Sequence, residues 1–232
     1  MAIEEHLSAL QTRYLEVSEQ AEIQVITIFG DAGSGKTELL SQFEGWLRYV
    51  QDDMTILTGY NTPDTRYDAY GLIRYSLVQA AGIRDDDTLN ATWTKLEELL
   101  GRVTGESRAD KAHYVGYVLG MDMKLSPYIR NFKGTDEQLR NVGRHYLTQY
   151  LVATAQQNIL VMLWDDIQWA DDESLAVLTR LVRKHPDISM LALCTSDISL
   201  LNRYPSWTRI TRNFQHRWLQ LLPTDTTDPA FG

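Results

Sequence analysis

The segment Gly30-Asp31-Ala32-Gly33-Ser34-Gly35-Lys36-Thr37 restricts the fold more than any other feature of this chain. It has the form G-x-x-x-x-G-K-[ST]. Before it stands Val25-Ile26-Thr27-Ile28-Phe29, short, apolar and rich in β-branched residues, which predicts a buried strand. After it, Leu39, Leu40, Phe43, Trp46 and Leu47 share one face of a helix from about Lys36 to Tyr49. The glycines allow positive φ and leave the backbone bare, so N–H groups can turn toward a polyphosphate. The helix start adds its positive dipole end. Lys36 supplies a point charge for β- and γ-phosphates, and the Thr37 hydroxyl a ligand for Mg²⁺. By chance the pattern arises in roughly one percent of chains of this length. With that strand and helix beside it, a phosphate cradle is favoured over a Gly-rich turn with an incidental lysine.

Such a loop needs a second element to hold Mg²⁺ and prepare water. Ile159-Leu160-Val161-Met162-Leu163-Trp164 reads as a strand buried on both faces and ends in Asp165-Asp166. Open α/β sheets bind ligands at the carboxyl ends of their strands. Asp165 is therefore assigned to the metal and Asp166 to the attacking water, with the two roles interchangeable on sequence grounds. Alone, the pair could simply close a strand; the upstream loop decides for the site. Asp171, Asp172 and Glu173 precede a helix and read as capping residues.

Elsewhere, Ile3, Leu7, Leu10, Tyr14 and Val17 mark an amphipathic first helix, and Met54 to Gly59 a second strand. The middle, from about Asn61 to Gln157, reads as mostly helical. Its helices are expected at Tyr67 to Ala81 (capped by Gly82), Thr88 to Leu100 behind Asp85-Asp86-Asp87, Ala109 to Leu119 and Asp136 to Gln156. Residues 124–135, with Pro127 and Gly134, read as a loop. Alternation then resumes: helix Asp172 to Lys184, strand Ile188 to Cys194 and a last strand at Arg217 to Leu222. Strands alternating with helices imply an α/β fold with a mostly parallel sheet covered on both faces. The helical middle is too long for one crossover, so it is an insertion.

The chain has 232 residues, 44% hydrophobic and 23% charged, with a net charge of -9. That excludes a disordered chain. Its longest unbroken apolar run falls far short of the roughly 20 residues a bilayer needs, and MAIEEHLSAL has acids where a signal peptide needs bases. No membrane partner and a cytoplasmic setting are expected. The acidic balance disfavours nucleic acid as a partner. The one cysteine, Cys194, sits in an apolar strand and reads as core; His6, His113, His145, His185 and His216 show no ligand spacing. Tyr114, Tyr117 and Tyr128 read as packing. Arg203, Arg209, Arg212 and Arg217 read as a solvated face, with a phosphate-sensing arginine, even one acting across a subunit contact, as the sharper alternative.

FGDAGSGKTELL together with LWDDIQWADDESLAVLTRLV resembles the P-loop ATPase domains of the STAND class within the AAA-like ATPases. The nearest in pattern are those beside class III adenylate/guanylate cyclase domains and in large bacterial transcriptional regulators. The family's D-[LI]-[HQ]-W-[AS]-D motif stands here as Asp166-Ile167-Gln168-Trp169-Ala170-Asp171, followed by Ser174-Leu175. DAYGLIRYSLVQAAGI, DEQLRNVGRHYLTQYLVATAQQ and LLNRYPSW carry the likeness across residues 4–223. The resemblance implies a P-loop NTPase, a three-layer sandwich of five strands in the order 5-1-4-3-2 with a helical insertion between strands 2 and 3. The core would span residues 1–223, the insertion 61–157 and a loose tail 224–232. ATP would lie on Gly30, Asp31, Ala32, Gly33, Ser34, Gly35, Lys36, Thr37 and Glu38; Mg²⁺ on Thr37 and Asp165; catalysis would involve Asp166, Asp165 and Lys36. Gln168 and Trp169 are expected to act structurally or as a switch, with direct nucleotide contact as the lesser alternative.

The family usually has a Gly-Arg element before the first helix, an arginine after the fourth strand and a helical lid. Here Thr195-Ser196-Asp197 stands in the arginine's place. The resemblance therefore implies a nucleotide core cut from a longer regulatory protein, with ATP/ADP, neighbouring domains of that chain and nucleotide-dependent self-association as partners. The leading expectation is a Mg-dependent ATPase that regulates a neighbouring effector. A non-hydrolysing nucleotide switch or scaffold is the first alternative. A DNA-associated AAA-type ATPase and a small-molecule kinase rank lower, since neither a basic helical domain nor an Arg-rich lid is visible.

Overall fold

The computed structural model describes residues 2–50, 53–104, 109–209 and 214–218. Helix α1 (Ala2–Gln20) leads into strand β1 (Ile23–Phe29), the loop 30–35 and helix α2 (Lys36–Leu47). Strand β2 (Met54–Tyr60) is followed by helices α3 (Gly71–Ala81), α4 (Leu89–Thr104), α5 (Ala109–Val118), α6 (Pro127–Arg130) and α7 (Asp136–Gln157). Then come β3 (Ile159–Asp165), α8 (Asp172–Lys184), β4 (Met190–Ser196), α9 (Ser199–Arg203) and β5 (Phe214–Trp218).

Strands β1, β4, β3 and β2 lie side by side in the order 1-4-3-2, as the resemblance implied, and every pair is parallel. β5 joins the free side of β1, also parallel, with Val25 opposite Phe214. The order puts β1 and β3, the strands that lead into the phosphate loop and the acidic pair, on either side of β4.

Period-two alternation divides the sheet between two cores. Ile26 and Ile28 of β1, Val161 and Leu163 of β3, and Leu191 and Leu193 of β4 pack with Leu10, Tyr14, Leu39 and Phe43 of α1 and α2. Val25 and Phe29, Leu160, Met162 and Trp164, and Met190, Ala192 and Cys194 face the other way, into the helices α3 to α8. Almost all of these side chains are fully buried, each stabilising the fold by about 1.5–3 kcal/mol for the larger ones. Cys194 is wholly buried, which pushes its thiol pKa well up and leaves it an inert core residue, as expected. The insertion closes tightly where α5 crosses α7. A Cβ at Gly143 would collide with the Tyr114 carbonyl, so the glycine sets how closely the two helices approach.

Several boundaries differ from the sequence reading. The helix expected at Tyr67 begins only at Gly71: a 3-10 turn, Pro63–Tyr67, comes first, and Tyr70 is left-handed at φ 62. Residues 124–135 are not all loop, because Ser126 caps α6 with Pro127 at its first position. Strand β4 starts and ends two residues later than expected, which brings Thr195 and Ser196 into the sheet. The last strand lies at Phe214–Trp218 rather than from Arg217 onward; residues 219–222 and the tail fall outside the described residues. Gly82 does end α3 in a left-handed conformation, φ 65.

Candidate functional site

The loop after β1 turns on two left-handed glycines, Gly33 at φ 77 and Gly35 at φ 85, the latter capping α2. No heavy atom lies within 4 Å of a Cβ built on Gly33, so that side of the loop is open. Lys36, 8% exposed, arches back and its Nζ donates to the carbonyls of Gly30 at 2.8 Å and Asp31 at 2.9 Å. The Ser34 N–H donates to the Asp31 carbonyl at 3.1 Å, while the buried Ser34 hydroxyl has no partner among the described residues. Residues Ala32 to Glu38 line a cavity of about 520 Å³ together with Asp166, Gln168, Trp169 and Asp197.

That cavity meets the needs of a polyphosphate on three counts. It has bare glycine backbone at a helix start, one lysine curled around the loop, and an unpartnered buried hydroxyl. Glu38 lies at its edge, exposed, with its carboxylate accepting from Gln42 Nε2 at 2.7 Å.

The acidic pair is brought to the loop by strand order. Asp165 is the last residue of β3, and its Oδ2 accepts from the Thr37 hydroxyl at 2.8 Å. Its Oδ1 accepts from the hydroxyl of Thr195 on β4, and its main-chain carbonyl from Asn61 Nδ2 at 2.9 Å. Asp166 is left-handed, φ 53, an uncommon conformation for a residue with a side chain. Its N–H donates to Thr195 Oγ1 at 2.9 Å, and its Oδ1 accepts from Gln168 Nε2 at 2.9 Å. Thr195 thus binds both acids and fixes the turn between them.

The 3-10 turn Ile167–Trp169 continues from Asp166. Arg203 on α9 donates to the carbonyls of Gln168 at 3.2 Å and Ala170 at 2.6 Å and pairs with Asp172. Arg203 is therefore neither solvated nor turned to the cavity. Arg209 is exposed, and the side chains of Arg212 and Arg217 lie outside the described set. Asp171 caps α8, as expected, accepting from Ser174 N–H at 2.8 Å and Ser174 Oγ at 2.7 Å. It also accepts from the N–H groups of Tyr70 at 2.8 Å and Leu72 at 3.2 Å, so the same carboxylate starts α3. Asp172 and Glu173 do not cap. Asp172 holds Arg203 and the Tyr204 hydroxyl, and Glu173 accepts from the Tyr70 hydroxyl at 3.0 Å, which itself accepts from Arg144 Nε at 2.9 Å.

Asn61, Thr195 and Ser196 had no motif to announce them. Their signal is positional: each stands at the carboxyl end of a strand beside β3 or β1, where such sheets place ligands. The buried Asn61 Oδ1 has no partner among the described residues.

Residues 4–194 match the family described as an AAA ATPase domain. No curated protein matches the chain. Among solved structures, Thermomonospora curvata EccC (ATPases 2 and 3) in complex with a signal sequence peptide aligns with 82% of this chain and 28% of that one. The identity is 18% and the TM-score 0.35, a likeness that does not bear on function. The chain thus spans less than a third of that structure's length.

Proposed function

The chain belongs to the AAA ATPase domain family, and from that premise we propose that it binds ATP with Mg²⁺ on residues 30–38 and hydrolyses it slowly. The observation that carries this reading is the Thr37–Asp165 hydrogen bond of 2.8 Å. It joins the two side chains that, in a phosphate loop and an acidic strand, share one Mg²⁺.

Electrostatics support the metal. Glu38, Asp166 and Asp197 line the cavity and Asp165 stands beside Thr37, against Lys36, the one cation that lines it among the described residues. A divalent ion would offset these carboxylates beside a triphosphate. Mg²⁺ suits the site, since it keeps several waters and needs only one or two protein oxygens beside phosphate. When bound, it neutralises charge on the β- and γ-phosphate oxygens. Thr37 and Asp165 would hold it. Lys36 would exchange its loop carbonyls for phosphate oxygens, and loop N–H groups with the Ser34 hydroxyl would donate hydrogen bonds to the remaining phosphate oxygens. Asp166, with Oδ2 unpartnered among the described residues, takes the proton of the attacking water.

The nucleotide state would reach a neighbouring domain of a longer STAND-class signalling protein through the turn 166–171, which touches α3, α8 and α9. Phosphate release from the purified chain, with Lys36→Ala as blank, tests the reading; equal release from both sinks it. A non-hydrolysing switch is the second reading. It is favoured by Arg203, the nearest arginine after β4, being tied to the carbonyls of Gln168 and Ala170 instead of facing the cavity.

A further inference from the structure

Gln168 is 7% exposed, yet its side chain lines the phosphate cavity and both ends of its amide are engaged. Nε2 donates to Asp166 Oδ1 at 2.9 Å. Oε1 accepts from the Asp197 N–H at 3.3 Å and the Ser196 hydroxyl at 3.1 Å. The orientation is forced: a main-chain N–H can only donate, so the amide oxygen faces Asp197 and the NH₂ faces the carboxylate. Ser196 is also bonded to the loop, its carbonyl accepting from the Gly30 N–H at 3.1 Å. The Ser196 hydroxyl has one hydrogen and also lies 3.0 Å from the Asp197 carbonyl, so the path that does not depend on it runs from the first residue of the phosphate loop through the Ser196–Asp197 main chain to Gln168 and Asp166. Arg203 fixes the same turn from behind through the Gln168 carbonyl.

We propose that Gln168 is a positioning residue for hydrolysis: it holds Asp166 by Oδ1 so that Oδ2 faces the water beside the γ-phosphate, and it makes that orientation depend on the phosphate loop through Ser196. This rests on the hydrolytic reading above. Asp166 needs such support, because its left-handed backbone leaves the carboxylate no helix or strand to fix its rotamer. A base oriented by a third group is a recurring arrangement, and misplacement by about 1 Å costs roughly a hundredfold in rate. No proton passes through Gln168; the proton from water goes to Asp166.

The test compares wild type, Gln168→Ala and Gln168→Glu in steady-state phosphate release and in equilibrium binding of a fluorescent ATP analogue. Gln168→Ala is expected to lower kcat roughly ten- to a hundredfold and to leave the analogue's Kd within about threefold. Gln168→Glu is isosteric and supplies the readout that a merely structural residue would not move. The charged groups around that side chain are Asp166 and Asp197, with Lys36 across the cavity and Arg203 on the backbone of the turn. At low pH the introduced carboxyl is neutral and its O–H can donate to Asp166 Oδ1. As it ionises, two carboxylates face one another and the hold is lost. Its kcat should therefore fall with rising pH over a range where wild-type kcat does not. A Gln168→Ala kcat within twofold of wild type, a loss confined to KM, or a Gln168→Glu profile parallel to wild type overturns the proposal alone. Wild-type release no greater than that of Lys36→Ala overturns the hydrolytic reading and this proposal with it.

Discussion

The Thr37 hydroxyl donates to Asp165 Oδ2 at 2.8 Å, across a separation of 128 residues. This contact exists because β1 and β3 flank β4 in parallel, which brings the two strand ends to the same edge of the sheet. Thr37→Ala removes one oxygen of the pair and leaves the Lys36 cradle intact. ATP affinity in Mg²⁺ should fall about tenfold or more, while affinity in EDTA stays nearly unchanged. Titration calorimetry in both buffers checks it; an equal loss in both would put Thr37 outside the metal site.

Asp166→Asn keeps the size of the side chain and its hold on Gln168 while removing the base. Turnover should fall about a hundredfold or more, with binding unchanged. Single-turnover hydrolysis beside a binding isotherm gives both numbers. Wild-type turnover in the variant would remove Asp166 from the chemistry.

Asp171 accepts four hydrogen bonds while only 2% exposed. Asp171→Ala removes the cap of two helices at once, at about 1 kcal/mol or more per cap. For a chain of this size, two caps lost at about 1 kcal/mol each lower Tm by about 4–8 °C. Hydrogen exchange should speed up at Tyr70 and Leu72 as well as at Ser174. Protection unchanged at Tyr70 would show that α3 starts without this carboxylate.

Burial, and then the hydrogen bond to Asp172, push the Tyr204 phenol up to about 12 from an ordinary 10.0. A folded pKa above the unfolded one means that the neutral form is favoured by folding. The contribution is complete below pH 10 and is lost as pH rises from about 10 through about 12. The Tyr204 hydroxyl first, and Arg203 second, hold the Asp172 carboxyl below the usual carboxylate range. That contribution is present above the usual range and lost as pH falls through the depressed value. Tyr204→Phe should flatten the alkaline decline of Tm, and Asp172→Asn the acid one. Slopes identical to wild type would remove the pair from the account.

The phosphate loop and the strands around it were legible because they rest on local pattern: a β-branched run, two glycines, a helical face; the order of the strands came only from the family resemblance, since no local pattern fixes which strands lie side by side. α8 was placed at Asp172–Lys184 to the residue, since its cap and its apolar stripe coincide. α3 was misplaced because its start is set from 101 residues away, where Asp171 captures the Tyr70 N–H. Apolar periodicity cannot register a left-handed tyrosine. The short helix α6 was readable in principle from Ser126-Pro127, but the proline drew the segment toward a loop. At the site, the loop and both acids were visible as motif residues. Thr195 was not, having been noted only as the place where an arginine was missing, although it touches both acids.

One carboxylate marks the origin of two helices that lie about a hundred residues apart in the chain. A pivot shared in this way removes independence: when the end of β3 shifts, α3 and α8 must turn together or one of them loses its first turn. α1 and α2, packed on the other face with their own core, are not bound to that pivot. What Asp171 joins is therefore the start of α3 to the start of α8, while β1, which carries the phosphate loop, sends alternate side chains into both cores.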